Sequence, residues 1–154
     1  MISPAPALPL FVYGTLRDPD LLAAVLNRPL RPGALLPARA PGFRAVPYPS
    51  RLYPALIRSP GATAEGLLLT DLSPFERDLL DAFEGDEYRR GPIAAIIDFE
   101  LHEADAYLPA IPVPDTAPDW SFADWQSQHK PAVLATDAAS AAELRLRLIA
   151  VRPH

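Results

Sequence analysis

A carboxylate at the end of a helix, on the border of its apolar stripe, is the placement in this chain best suited to acid–base chemistry. Ser73 is a good N-cap, Pro74 suits the first helical position, and Glu76 completes a capping-box spacing. Leu72, Phe75, Leu79, Leu80 and Phe83 then recur at helical spacing, which predicts a helix over 74–83 with one apolar stripe. Gly85 supplies the stop, because glycine takes the left-handed conformation without a Cβ penalty. Glu84 therefore falls on the last turn, one turn beyond Leu80. The partial negative charge of a helix C-terminus and an apolar border both disfavour its ionised form, moving it from about 4.3 towards a general base's range. The same residue also reads as one more solvated acid in an acidic segment, and spacing alone leaves both readings open.

Other titratable groups offer less. Asp18 and Asp20 flank Pro19 with no further ligands nearby, so helix capping accounts for them better than a metal does. Asp81, Glu84, Asp86 and Glu87 lack the spacing of a calcium loop, and His102, His129 and His154 are scattered with no His-x-x-x-His pair. No metal and no cofactor are expected. The absence of cysteine removes thiol nucleophiles, thiolate metal sites and disulfides.

The elements that must position Glu84 begin with Leu10-Phe11-Val12-Tyr13, a short apolar run that fits a strand buried on both faces. Gly14 breaks it, and Asp18 and Pro19 open a helix carrying Leu21, Leu22, Val25 and Leu26 inward. From 29 to 60 the chain is dense in Pro and Gly. Leu35-Leu36, 43–48 and 55–57 read there as short strands at edges or bends, where proline is tolerated. Residues 66–70 make a better strand. After the central helix, 92–99 and 104–108 read as a possible antiparallel pair, and 121–130 as a helix with Phe122 and Trp125 inward. Trp120 and Trp125 read as packing residues that pin the tail over the sheet, or else as a pocket lid. The tail after Asp137 is ambiguous: alanines favour a helix capped by Asp137, while Leu144, Leu146 and Leu148 alternating with arginines would suit a strand. Helix is the expectation.

Strands in the first two-thirds and helices at the end suggest an α+β fold, a small, strongly bent mixed sheet or β-barrel with peripheral helices. At 154 residues one domain over 1–154 is expected. The net charge of −5 argues against nucleic acid as the main partner. No run approaches the ~20 apolar residues of a membrane span, and residues 1–9 carry no basic leader region. A cytoplasmic protein with no membrane partner is the expectation. Thirteen of the fourteen basic residues are Arg, which with abundant Ala and Pro fits a GC-rich bacterial genome.

Two blocks of sequence carry a resemblance. Phe11-Val12-Tyr13-Gly14-Thr15-Leu16-Arg17 looks like the Tyr-Gly-Ser/Thr-Leu signature of the gamma-glutamylcyclotransferase-like family. Leu80-Asp81-Ala82-Phe83-Glu84-Gly85 followed by Tyr88-Arg89-Arg90 resembles that family's Asp-x-x-Glu-Gly-x-x-Tyr-x-Arg block. Tyr53-Pro54-Ala55 and Glu65-Gly66 lie between them much as the family's elements do, and the Trp120-to-Trp125 tail looks like the avirulence-induced branch. The resemblance implies ring closure of a γ-glutamyl group: the substrate's α-amine attacks its own γ-carbonyl, giving 5-oxoproline and a free amine. No enzyme nucleophile is needed, since holding amine and carbonyl together is a proximity problem, with effective molarities of about 10⁵ M or more.

Glu84 matches the family's catalytic glutamate, and Tyr13, Gly14, Thr15 and Leu16 match its substrate-binding loop. A strand-to-helix turn exposes backbone N–H groups that can hold a carboxylate or oxyanion, although such a turn is also an ordinary connection in which Gly14 merely lets the chain bend. Tyr88 and Tyr107 could bond substrate from the cavity wall or be satisfied core aromatics, and Arg90 could pair with Glu84, with substrate, or with a surface acid. Two other functions stand beside cyclisation: a non-catalytic binding or interaction module retaining the fold, and a γ-glutamyl hydrolase or acyltransferase. The leaving half of the substrate and the oligomeric state have no legible signal.

Overall fold

The computed structural model describes residues 7–151. The first six residues, part of the stretch read above for a leader, and His154, weighed above as a metal ligand, lie outside the described residues. Five strands, β1 (Leu10–Val12), β2 (Leu35–Pro47), β3 (Pro54–Leu69), β4 (Tyr88–Ile97) and β5 (Glu100–Pro109), close into a barrel in the order β1-β3-β2-β4-β5. Neighbours are antiparallel except β1 and β5, which meet in parallel at Leu10 and Asp105. Closure removes the exposed edges that a five-stranded sheet would otherwise present.

The three short strands expected between 29 and 60 are parts of two long ones. Prolines 37, 41 and 47 lie within β2, and prolines 54 and 60 within β3. The chain tolerates them because the ladder is broken where they cluster: the register shifts between Pro41 and Phe43, and Gly42 and Gly61 both adopt φ near +80°. A bulge of this kind bends and twists a strand, which is what two strands need in order to curl around a small barrel. The antiparallel pair β4–β5 is longer than expected. Its turn falls at Asp98 and Phe99, both at positive φ, inside the stretch assigned to a strand.

Two apolar layers meet at β1. Phe11 and Tyr13 point into the barrel with Ala38, Ala40, Ala64, Ala95, Ala104 and Ala106, whose small side chains suit a narrow bore. Leu10 and Val12 point outward to the helices, so the run is buried on both faces as its composition implies. Helix α1 (Pro19–Leu26) lays Leu21, Leu22, Val25 and Leu26 against this outer layer, with Asp18 as its N-cap. Helix α2 (Pro74–Glu84) buries Leu79 and Leu80, the latter in this outer layer, and its capping box forms as expected between Ser73 and Glu76. Glu76 also receives Arg28 at 2.6 Å, tying the end of α1 to the start of α2.

The C-terminal region is helical: α3 (Phe122–Gln128) followed by α4 (Lys130–Val151). The strand alternative for the tail is excluded. Asp137, however, is not a cap: α4 starts seven residues earlier, so Asp137 lies in its interior. What anchors this pair of helices is Asp18, fully buried, which accepts from Gln126 at 2.9 Å and from Lys130 at 2.9 Å. Trp125 is buried in the outer layer, and Trp120 donates to the Leu52 carbonyl at 2.9 Å, so both tryptophans pack the tail onto the body. No helix among the described residues is long and apolar enough to cross a membrane.

Candidate active site

The end of β1 and the end of α2 open onto the same cavity, of about 420 Å³. After β1 the chain makes a single 3₁₀ turn (Thr15–Arg17), and Tyr13, Gly14, Thr15 and Leu16 form one wall. Glu84 and Gly85 form the facing part, with Tyr88 and Tyr107 from β4 and β5. Thr15 and Leu16 head the turn, so their N–H groups have no carbonyl within it. Gly14 is needed for space rather than for a positive φ: an added Cβ would sit 2.9 Å from Cγ of Pro54, on the neighbouring wall.

Glu84 is the last residue of α2, where its spacing from the apolar stripe puts it. Gly85 stops the helix at positive φ but with ψ of −156°, a conformation open essentially to glycine alone and distinct from the left-handed turn expected. Burial pushes the Glu84 carboxyl up to about 8, and the charges of Asp137 and Glu87 add to it. The expected direction holds, with enclosure as the main cause and two acids in place of the helix terminus. Glu84 forms no hydrogen bond or ion pair through its carboxylate among the described residues.

The tyrosines are committed to the protein frame. Tyr13 donates its hydroxyl proton to the Tyr107 carbonyl, Tyr88 donates to the Pro54 carbonyl at 2.6 Å, and Tyr107 donates to Asp81 at 2.7 Å. Burial raises the pKa of all three, with Glu84 adding to each, so they stay neutral. Their rings wall the cavity, and their oxygens retain lone pairs that can accept from an ammonium or amide.

Arg90 departs from expectation. It does not line the cavity and does not reach Glu84. Its guanidinium lies 3.4 Å from Asp81, one turn earlier on α2, next to the Tyr107 hydroxyl that shares that carboxylate. Arg90 is opposite Tyr107 in the β4–β5 register, which brings it to the Asp81 level of the helix and leaves Glu84 without a neighbouring cation. An arginine beside Glu84 would have lowered its pKa.

Several lining residues had no claim from the sequence. Tyr53 and Pro54 come from the start of β3, and Tyr53 donates to Glu87, which Arg51 also holds at 2.9 Å. Tyr53 is raised to about 12, by burial first and then by that bond to Glu87. From α4 come Asp137, Ser140 and Leu144. The Tyr-Pro dipeptide was a signal for the first pair, whereas the α4 residues carried no motif and depend on where that helix docks. Among the described residues no group of three or more His, Asp or Glu side chains could hold a metal ion.

Comparison with known proteins bears on this arrangement. The model of the family described as gamma-glutamyl cyclotransferase, AIG2-like, matches residues 10–127. The chain belongs to that family. Among its relatives, AIG2-like protein A of Arabidopsis thaliana is 31% identical over 123 residues, covering 78% of this chain and 73% of the relative. A solution structure of an Arabidopsis thaliana protein is 30% identical, with a TM-score of 0.64 over 84% of this chain and 87% of that one. A structure described as gamma-glutamyl cyclotransferase is 16% identical, with a TM-score of 0.56 over 96% and 89% of the two chains, and shares the fold. Family and fold together support chemistry of the cyclotransferase type. Both walls of the cavity near Glu84, the 13–16 turn and the end of α2, lie within the family-matched segment, while α4 lies beyond it.

Proposed function

We propose that this AIG2-like family member is a cofactor-free cyclotransferase that converts a γ-glutamyl amide or γ-glutamyl amino acid into 5-oxoproline and a free amine. The observation that carries the reading is a partnerless Glu84 carboxylate raised to about 8, facing the same cavity as the turn formed by Tyr13, Gly14, Thr15 and Leu16. An α-amine titrates at about 8 at a peptide terminus and somewhat higher beside a free carboxylate, so proton transfer from it to Glu84 is only modestly uphill, which suits general acid–base catalysis.

The reaction forms one C–N bond and breaks another. The α-ammonium starts with three protons and the ring nitrogen keeps one, so two must leave it. The amide nitrogen gains those two and departs as an ammonium. Glu84, ionised, takes a proton from the α-ammonium, and the freed amine attacks the γ-carbonyl. Glu84, now protonated, returns that proton to the departing nitrogen, and a second exchange at the tetrahedral stage completes the balance. The Thr15 and Leu16 amides are suited to hold the substrate carboxylate or the developing oxyanion. Tyr88 and Tyr107 shape the wall and offer acceptor oxygens, whereas Arg90 belongs to the frame through Asp81.

The test is incubation with a panel of γ-glutamyl amino acids, γ-glutamyl amines and glutathione, with 5-oxoproline read by mass spectrometry. Cyclisation releases the amine without adding water, which separates it from hydrolysis and from acyl transfer. Release of 5-oxoproline by the wild type and its loss in Glu84→Gln, with the fold intact, is the expected result. Turnover retained in Glu84→Gln would remove the mechanism, and no product from any substrate would leave a binding module.

A further inference from the structure

Helix α4 presents an inward stripe in which one residue is out of character. Val133, Leu134 and Ala141 pack against the outer apolar layer, and Leu144 reaches the cavity. Asp137 sits on that same stripe, four residues after Val133 and four before Ala141, and it too faces the cavity. A carboxylate on the packing face of a helix costs free energy unless something pairs with it. Among the described residues nothing does: Asp137 accepts no hydrogen bond and forms no ion pair.

The cations that α4 could have supplied are used elsewhere. Lys130 holds Asp18 and Asp20, Arg145 donates to the Val25 carbonyl at 2.7 Å, and Arg147 pairs with Glu143. The remaining acids around the cavity differ from Asp137. Glu87 is satisfied by Arg51 and Tyr53, and Asp86 stands at the exposed rim. Glu84 and Asp137 are left as two half-buried, partnerless carboxylates on opposing helices, with the neutral tyrosines 13, 53, 88 and 107 around them. Two such acids in one cavity describe a receptor for a cation.

We propose that Asp137 is the second contact of the substrate's α-ammonium, which is held between Glu84 on α2 and Asp137 on α4 while Glu84 takes its proton. This rests on the cyclotransferase reading and deepens it. Asp137 orients the nitrogen while Glu84 takes the proton, and the amine is left facing the γ-carbonyl. Because Asp137 lies beyond the family-matched residues 10–127, this contact is supplied by the chain's own C-terminal helix.

L-glutamine and glutaramate, which differ in the presence of the α-ammonium, make the probe pair. Their affinities are measured by titration calorimetry in the Glu84→Gln background, where no ring closes during the experiment. A preference for glutamine that falls about tenfold or more in Asp137→Asn is expected, the scale for losing a hydrogen bond between ions. Asp137→Glu should restore part of it, and glutaramate affinity should change by less than about twofold, which shows that the cavity is intact. The same preference in Asp137→Asn as in its parent overturns the inference alone and leaves the cyclotransferase reading standing. Binding of neither ligand overturns the inference, while the cyclotransferase reading is decided separately by 5-oxoproline release.

Discussion

Replacing Glu84 by Gln should change how stability depends on pH, independently of any activity. A glutamate near 4.5 in the unfolded chain and near 8 in the folded protein holds a proton that unfolding would release. Between those values the folded state binds more protons, so stability falls as pH rises from about 4.5 and levels off above about 8. At about 1.4 kcal/mol for each tenfold, the gap sets a ceiling of about 5 kcal/mol on the cost of ionising Glu84 in place. Glu84 is half-buried, and water entering the cavity screens part of that, so a cost of about 2 to 4 kcal/mol is expected. Against a typical total of about 5–15 kcal/mol this is a large share. Glu84→Gln removes it, and it also removes the charge that opposes Asp137. Urea unfolding of both proteins at pH 4 and pH 9 checks this. The variant should match the wild type within about 0.5 kcal/mol at pH 4 and exceed it by about 2 kcal/mol or more at pH 9. Parallel stability curves across that range would refute the claim that the protein encloses an unpaired Glu84, and with it the pKa argument for a general base.

The other predictions concern the frame. Gly14→Ala places a methyl 2.9 Å from the rigid Pro54 ring, so the turn must shift, and affinity for γ-glutamyl ligands should fall by about tenfold or more with a loss of about 1–3 kcal/mol of stability in urea unfolding. Gly85→Ala meets no neighbour within 4 Å, so its cost is conformational, about 1–3 kcal/mol in urea unfolding, together with a loss of kcat as Glu84 moves. Asp18→Ala removes the cap of α1 and leaves Lys130 and Gln126 without their buried acceptor, and should cost about 3 kcal/mol or more. Burial raises Asp18, but the bonds from Gln126, Lys130 and the Leu21 amide win and hold it below 3.8. Its contribution is therefore present above about pH 4 and lost as pH falls further, which acid titration of wild type against variant would show.

The local chemistry of the chain is written in short-range patterns. Ser73, Pro74 and Glu76 fix where α2 begins and Gly85 fixes where it ends, because caps and stops act within one turn. Asp18 with Pro19 does the same for α1, and the continuous apolar run of β1 declares burial on both faces. Those signals suffice to put Glu84 at a helix end and a glycine turn after β1. They do not show how long β2 and β3 are, since a proline reads as a strand end unless the opposite strand bulges at the same level, as at Pro41-Gly42 and Pro60-Gly61. Nor do they say which acid Arg90 will meet, because that depends on a register across β4 and β5 and on the height at which α2 packs. Asp137 is the clearest case. As sequence it reads as a helix cap, and its place in the cavity follows from the docking of α4 on α1 and α2, elements far apart in the chain. Backbone conformation is decided by neighbours in the chain and is legible there. The electrostatics of a cavity are decided by which distant groups share it, and closure of the barrel with its helices settles that.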